Sequence, residues 1–144
     1  MKLTAFLLLA SIVTASPTVY FIRHGEKPAE GNGLNAEGQQ RAQCLRSVFG
    51  ASSQYNIGHI MAQTYKSSGA RKRPYDTVLP LAQDLGLTVD TSCDRDDSEC
   101  VKDVVKGYEG SGNILIWFDI IWTDPPKYKE ITEVTSENCP GLDD

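Results

Sequence analysis

The spacing of hydrophobic residues along the chain changes several times, and these changes predict alternating strands and helices. Short apolar and β-branched runs predict buried strands at 18–22, 57–63, 87–91 and 113–116. Between these runs, apolar residues recur at helical spacing. The three helical faces are Ala42, Leu45, Val48 and Phe49; Tyr75, Val78, Ala82 and Leu85; and Val101, Val104, Val105 and Tyr108. This alternation favours an α/β fold of three layers, with a mainly parallel sheet and helices on both faces.

Local signals indicate where the helices begin and where one of them should be interrupted. Asn35 and Ser98 are natural N-caps for the first and third helices. Pro80 falls inside the second helical pattern, where it should kink or restart the helix because proline lacks the backbone N–H that a helix needs. Residues 31–33, Gly-Asn-Gly, predict a turn before the first helix.

The first fifteen residues have the pattern of a secretory signal peptide. Lys2 supplies the positive start, residues 5–13 form the apolar run, and residues 13–15, Val-Thr-Ala, resemble a cleavage site. The apolar run is too short to span a membrane. The prediction is therefore a secreted, extracellular protein with one domain at 16–144, a length that suits a single core.

The charge and the cysteine content narrow the classes of partner. A formal net charge of −5 argues against nucleic acid or an anionic membrane as a partner. Four cysteines in a secreted chain predict two disulfides. Of the three possible pairings, Cys93–Cys100 would close an acidic loop, and Cys44–Cys139 would then tie the C-terminal tail to the first helix. A metal site is disfavoured because no CxxC spacing is present and the chain has only two histidines.

The first predicted strand runs directly into a cluster of residues suited to phosphate chemistry. Arg23 carries a planar fork of donors that matches phosphate oxygens, and His24 can act as a nucleophile or carry a proton. Gly25 lets the backbone approach a ligand closely. Because ligands of open α/β sheets bind at the carboxyl ends of the strands, this cluster is the candidate site.

The Arg23-His24-Gly25 run after a hydrophobic strand resembles the signature of the histidine phosphatase superfamily, the phosphoglycerate-mutase-like proteins, and in particular its small secreted fungal members. The resemblance implies that His24 takes the phosphoryl group, that Arg23 holds the phosphate, and that no metal or other cofactor is needed. The Leu34, Asn35 and Gly38 pattern opening the first helix is similar to the family as well.

A second phosphate-binding arginine is expected in the basic stretch that contains Lys66, Arg71, Lys72 and Arg73. The superfamily carries such an arginine four residues before a threonine, and Arg73 with Thr77 matches that spacing. Arg71 is the weaker candidate, and the rest of the stretch is interpreted as a solvated loop. Glu26 either orients His24, serves as the acid, or simply lies on the surface. His59, alone in an apolar strand, is interpreted as a packed or edge residue.

The resemblance breaks at the last predicted strand. In the superfamily this strand ends at a second catalytic histidine, but here Trp117, Phe118, Asp119 and Ile120 follow, and no histidine occurs after His59. A splice form, a natural deletion and an error in the gene model would each give this sequence. Joining the two strands directly is expected to expose Trp117 or Trp122 and to lower solubility.

Two functions follow from these observations. The first is a secreted, monomeric hydrolase of small phosphate monoesters that works through a phosphohistidine at His24, with activity impaired by the missing histidine. Asp119 and Ile120 occupy its place, and neither can donate a hydrogen bond to phosphate. The alternative is a non-catalytic secreted protein that binds anions, or an inactive remnant.

Overall fold

A computed structural model describes residues 16–22, 28–118 and 138–142. In chain order the elements are β1 (Val19–Phe21), α1 (Ala36–Val48), β2 (Ile57–Ala62), α2 (Arg73–Leu85), β3 (Val89–Asp90), α3 (Ser98–Gly107) and β4 (Asn113–Trp117). The predicted alternation of strands and helices is confirmed in this part of the chain; β1, β2 and β3 are shorter than their predicted runs, and β4 is one residue longer.

The four described strands form one sheet in the order β1-β4-β2-β3, and every pair is parallel. The last strand in sequence thus lies between the first and the second. Ile114, Leu115 and Ile116 of β4 pair with β1 on one side and with β2 on the other. The predicted α/β class with a parallel sheet is therefore confirmed for the described residues.

The side chains of β4 alternate between two separate groups of buried residues. Leu115 and Trp117 belong to the group that includes Leu45 of α1 and Val78 of α2. Ile114 and Ile116 belong to the group that includes Val101 of α3. All four of these β4 residues are at most 1% exposed, which explains why the strand is an unbroken apolar run rather than an alternating one.

The helices begin close to their predicted starts. The side chain of Asn35 accepts a hydrogen bond from the Gly38 backbone N–H at 2.8 Å, so the predicted cap of α1 is confirmed. For α3 the prediction was wrong by one residue, because Asp97 is the cap and its side chain accepts from the Cys100 N–H at 2.9 Å. Ser98 is instead the first helical residue, since a carboxylate one position earlier already satisfies that donor.

The structure excludes one alternative in each of two further expectations. The helix α2 runs from Arg73 to Leu85 without restarting at Pro80. Its buried face, which includes Val78, Leu81 and Ala82, holds the helix together despite the missing N–H. Trp117 is buried within the sheet rather than exposed. Trp122 lies outside the described residues.

Both predicted disulfides are confirmed. Cys93 pairs with Cys100 around the loop before α3, and Cys44 on α1 pairs with Cys139. Next to the second bridge, the Gln40 side-chain amide donates to the Pro140 carbonyl at 3.4 Å. Residues 138–142 are thus tied to α1, as the sequence predicted.

We expect the two disulfides to contribute unequally to stability. Replacing Cys44 and Cys139 by serine should lower the free energy of unfolding by about 4–5 kcal/mol, and replacing Cys93 and Cys100 by about 2 kcal/mol. The reason is that a sequence separation of 95 closes a much larger loop in the unfolded chain than a separation of 7 does. Urea unfolding of the wild type and both double variants, followed by circular dichroism, measures the difference; the reverse order would contradict this account.

A second prediction concerns Gly58, which lies at an irregularity between β2 and β4 where the register shifts. A Cβ atom at this position would collide with the Ser111 carbonyl oxygen and the Tyr108 hydroxyl. Gly58→Ala should therefore cost about 1–3 kcal/mol of stability. Gly107→Ala is the matched control, because a Cβ there meets nothing within 4 Å. Equal urea midpoints for the two variants would show that the β2–β4 contact at Gly58 is not tight.

Candidate functional site

The described part of the predicted site is the carboxyl edge of the sheet. β1 stays paired to the end, since the Ile22 backbone N–H donates to the Ile116 carbonyl at 3.1 Å and Ile22 is 4% exposed. The chain therefore leaves β1 beside the central strand β4. The predicted residues Arg23, His24 and Glu26 follow immediately, but residues 23–27 lie outside the described residues.

Arg73 is the predicted site residue that the structure describes, and it is the first residue of α2. The side of the helix on which Arg73 lies follows from the residues after it. Asp76, Pro80 and Asp84 come at successive steps of three, four and four residues, so they share one side of α2 with Arg73. Asp76 and Pro80 line a groove between α2 and α1, and Asp84 accepts two hydrogen bonds from Arg46 of α1. Arg73 begins this row of residues, so it lies on the side of α2 that faces α1, at the carboxyl edge.

The turn that carries Arg73 is fixed by buried polar groups. Thr77 is fully buried, and its hydroxyl donates to the Arg73 carbonyl at 2.7 Å. Gln63, which directly follows β2 and is also fully buried, donates from its amide to the Arg71 carbonyl at 3.5 Å. The arginine-to-threonine spacing noted in the sequence thus corresponds to a hydrogen bond across the first turn of α2.

Arg71 and Lys72, the two basic residues directly before Arg73, have partners of their own. The Arg71 guanidinium lies 3.1 Å from an Asp94 carboxylate oxygen. The Lys72 ammonium lies 3.5 Å from Asp76, and 5.6 Å from the centre of the Tyr65 ring. The Arg73 side chain is half-buried, and among the described residues no carboxylate pairs with it. This difference favours Arg73 over Arg71 as the residue that can bind an added anion.

Arg41 of α1 is charged and fully buried, and it was not among the predicted site residues. A signal was present in the sequence. Arg41 follows Gly38 by three residues and precedes Leu45 by four, and both of those residues are buried. An arginine between two buried residues at these spacings must face the interior as well.

His59 has a partner that the sequence did not reveal. Its Nε2 atom lies 3.0 Å from an Asp90 carboxylate oxygen, on the neighbouring parallel strand β3. The two side chains are 26% and 20% exposed, and the His59 ring lies 5.6 Å from that of Tyr108. Tyr108 packs against the group of buried residues that includes Val101 of α3, whereas Val78 of α2 belongs to the other group, so the pair contributes nothing to the region around Arg73.

Competing effects set the pKa of the Asp90 carboxyl. Partial burial acts to raise this pKa, but hydrogen bonds from Ser92 and His59 outweigh it and hold the value below that of an ordinary aspartate. One of these bonds runs from the Ser92 backbone N–H to Asp90 at 2.9 Å. The carboxylate therefore stays ionised and fixes both His59 and the turn after β3.

Two kinds of feature are absent from the described residues. No group of three or more histidine, cysteine, aspartate or glutamate side chains is placed to hold a metal ion in the described ranges. No helix in this part of the chain is long and apolar enough to cross a membrane.

The depressed pKa of Asp90 predicts a pH-dependent contribution to stability. Because the pKa is lower in the folded state, the contribution is fully present above the unfolded value of about 3.9 and is lost as the pH falls through the folded value. Asp90→Asn should be less stable than the wild type by about 1 kcal/mol at pH 6, and the gap should close below about pH 4. Urea unfolding at several pH values measures both effects.

The control for this comparison is Asp103→Asn. Asp103 is exposed on α3, and within the described ranges its side chain makes no hydrogen bond or ion pair. Its variant should therefore follow the wild type at every pH. A gap for Asp90→Asn that stays constant down to pH 2 would show that its carboxylate charge is not what matters.

Comparison with known proteins does not assign the chain to a family. Neither a protein-family model nor a curated protein matches it. The likeness to the histidine phosphatases therefore rests on the motifs around Arg23, His24 and Arg73 and stays a prediction.

Proposed function

We propose that the chain is a secreted protein of the histidine phosphatase type that binds small phosphate monoesters at the carboxyl edge of its sheet. The observation that supports this most directly is the position of Arg73. It begins α2 on the side facing α1, beside the edge where the chain leaves β1 and continues into Arg23 and His24.

The fold supports the same proposal. A phosphoglycerate-mutase-like domain has helices on both faces of a parallel sheet. Here α1 and α2 share one group of buried residues with the sheet, and α3 shares the other. The proposal includes this layered arrangement and the secretory signal at residues 1–15. Two disulfides are consistent with an oxidising, extracellular location.

The charges that a phosphate monoester needs are available at this edge. Arg46, Arg71 and Arg95 each pair with an aspartate. Arg73 has no such partner among the described residues, so its guanidinium can form charge-assisted hydrogen bonds to phosphate oxygens. Together with Arg23 it would balance the two negative charges of the monoester.

In the proposed reaction an imidazole nitrogen of His24 attacks phosphorus. The bond between phosphorus and the ester oxygen breaks, and this oxygen leaves as an alcohol after taking a proton from Glu26 or water. A water molecule then attacks the phosphohistidine. The nitrogen–phosphorus bond breaks, inorganic phosphate leaves, and the proton released by the water restores the acid. Arg23 and Arg73 hold the equatorial oxygens throughout.

The rate of this reaction should be low. Asp119 and Ile120 stand in the sequence where the family places its second histidine, and both lie outside the described residues. An aspartate repels phosphate and an isoleucine donates nothing. Losing one donor to the transition state typically lowers the rate about 100- to 1,000-fold.

The second candidate is a non-catalytic anion-binding protein, or an inactive remnant, in which His24 is never phosphorylated. The break in the motif after Phe118 favours it. The two candidates share the same phosphate site, so detection of a phosphohistidine at His24 distinguishes them.

We expect the secreted protein to bind inorganic phosphate weakly and to hydrolyse p-nitrophenyl phosphate slowly or not at all. Arg73→Gln should weaken phosphate binding about 10- to 100-fold, because a charge-assisted hydrogen bond contributes about 1.5–3 kcal/mol. Isothermal titration calorimetry with phosphate measures the affinity. His24→Ala should abolish any residual turnover.

Arg71→Gln is the matched control. It removes the same charge two residues before Arg73, from a side chain that is already paired with Asp94. It should change the affinity by less than about threefold. Equal losses for Arg71→Gln and Arg73→Gln would mean that general charge attraction replaces a specific site. Rapid turnover that survives His24→Ala would overturn the proposed mechanism.

A further inference from the structure

The segment between β1 and α1 contains an asparagine that is followed directly by a glycine. Residues 31–33, Gly-Asn-Gly, are all exposed and belong to no helix or strand. Gly31 has a φ of +97°, so the chain bends sharply just before Asn32. Within the described residues, neither the Asn32 side chain nor the Gly33 backbone N–H makes a hydrogen bond. Both groups are therefore free to react with each other.

An asparagine in this arrangement can lose its side-chain amide without an enzyme. The Gly33 backbone nitrogen attacks the Asn32 side-chain carbonyl carbon, Cγ, and a succinimide ring closes. The bond between Cγ and Nδ2 breaks, and Nδ2 leaves as ammonia after taking the proton from the Gly33 nitrogen. Water then opens the ring. Attack of water at Cγ gives aspartate, and attack at the main-chain carbonyl carbon gives isoaspartate.

The glycine after Asn32 favours ring closure. A side chain at position 33 would crowd the attacking nitrogen, and glycine has none. Gly33 also lies in open space, because a Cβ atom at this position would meet no heavy atom within 4 Å. No neighbouring group therefore prevents the Asn32 side chain from turning toward the Gly33 nitrogen.

Two other asparagines show the contrast, because hydrogen bonds hold their side chains. The Asn35 side-chain oxygen accepts from the Gly38 N–H at 2.8 Å. The Asn113 side chain is held at both ends: its oxygen accepts from the Thr18 N–H at 2.9 Å, and its amide donates to the Tyr55 carbonyl at 2.8 Å. Ring closure at either residue would first have to break these bonds.

The residue that follows each of the remaining asparagines also disfavours the reaction. Asn56 precedes Ile57, a β-branched residue that begins β2. Asn138 precedes Cys139, which is fixed by its disulfide. Of the five asparagines in the chain, Asn32 alone is followed by glycine.

The product adds a negative charge on the side of the fold where α2 begins. Gly33 and Asp76 line the same groove between α1 and α2, and Asp76 follows Arg73 by three residues, about one helical turn. A carboxylate at position 32 therefore adds to the negative potential near Arg73, which opposes the binding of phosphate. Isoaspartate would also lengthen the backbone between β1 and α1 by a methylene group.

We propose that Asn32 is a site of spontaneous deamidation, and that its conversion to aspartate or isoaspartate weakens phosphate binding as the protein ages. The modification itself requires only the exposed bend at residues 31–33. Its effect on binding rests on the proposed phosphate site at Arg73.

Peptide mapping by mass spectrometry tests the modification. After incubation of the purified protein in a mildly alkaline buffer, most molecules should be converted at Asn32 before conversion at Asn35 or Asn113 becomes detectable. Gly33→Ala is the matched control. It keeps Asn32, fits the open space and replaces a glycine that has no positive φ, yet its Cβ crowds the attacking nitrogen. Asn32 should stay largely unconverted in this variant over the same time.

Two results of the mapping would overturn the assignment of Asn32. One is conversion of Asn32 at the same rate as Asn113. The other is equal conversion of Asn32 in the wild type and in Gly33→Ala, which would show that the Gly33 nitrogen is not the attacking group. Circular dichroism melting curves check that the variant folds.

Isothermal titration calorimetry with inorganic phosphate tests the effect on binding. At low ionic strength Asn32→Asp should bind about two- to threefold more weakly than the wild type, and added salt should reduce the difference. Asn32→Ser is the neutral control and should bind like the wild type. Equal affinities of the two variants overturn the effect on binding. Failure of fresh wild-type protein to bind phosphate overturns the proposed phosphate site and this effect, but leaves the modification standing.

Discussion

The structure depends on the insertion of β4 between β1 and β2. This strand is last among those described, yet it pairs on both sides and contacts the buried residues on both faces of the sheet. Parallel pairing of strands so far apart in sequence has a high cost in chain entropy, and the dense apolar run of Ile114, Leu115 and Ile116 offsets it. Without β4, β1 would have no neighbour among the described strands.

This strand order also determines where chemistry can occur. Because all four described strands point the same way, the chain segments that follow β1, β2 and β4 leave at one edge. Arg73 reaches this edge through a connection that Gln63 and Thr77 fix by hydrogen bonds from buried positions. The role of these two buried polar groups is structural, because each would be costly to bury without its hydrogen-bond partner.

The helix pair α1 and α2 links the phosphate site to its surroundings. One row of residues on α2 supplies Arg73 at the edge, then Asp76 and Pro80 in the groove, then Asp84 in the ion pair with Arg46. The charge of two positions fits their place: Arg73 is a cation where phosphate is proposed to bind, and Asp84 forms an ion pair where the two helices are held together. Pro80 is tolerated here because the opposite side of α2 is anchored in the core.

The sequence by itself determined the strands, the helices, the cap at Asn35 and both disulfides. These features depend on local spacing, on residue chemistry, or, for the disulfides, on a small set of possible pairings. Strand order, the His59–Asp90 pair and the groove were decided only by the tertiary structure. His59 and Asp90 are 31 residues apart, and they meet because β3 happens to lie beside β2. The burial of Trp117 was likewise decided by the tertiary structure, since local pattern cannot show that a late strand occupies the centre of the sheet. Contacts between distant segments depend on which faces the whole chain can cover, and no stretch of sequence carries that information alone.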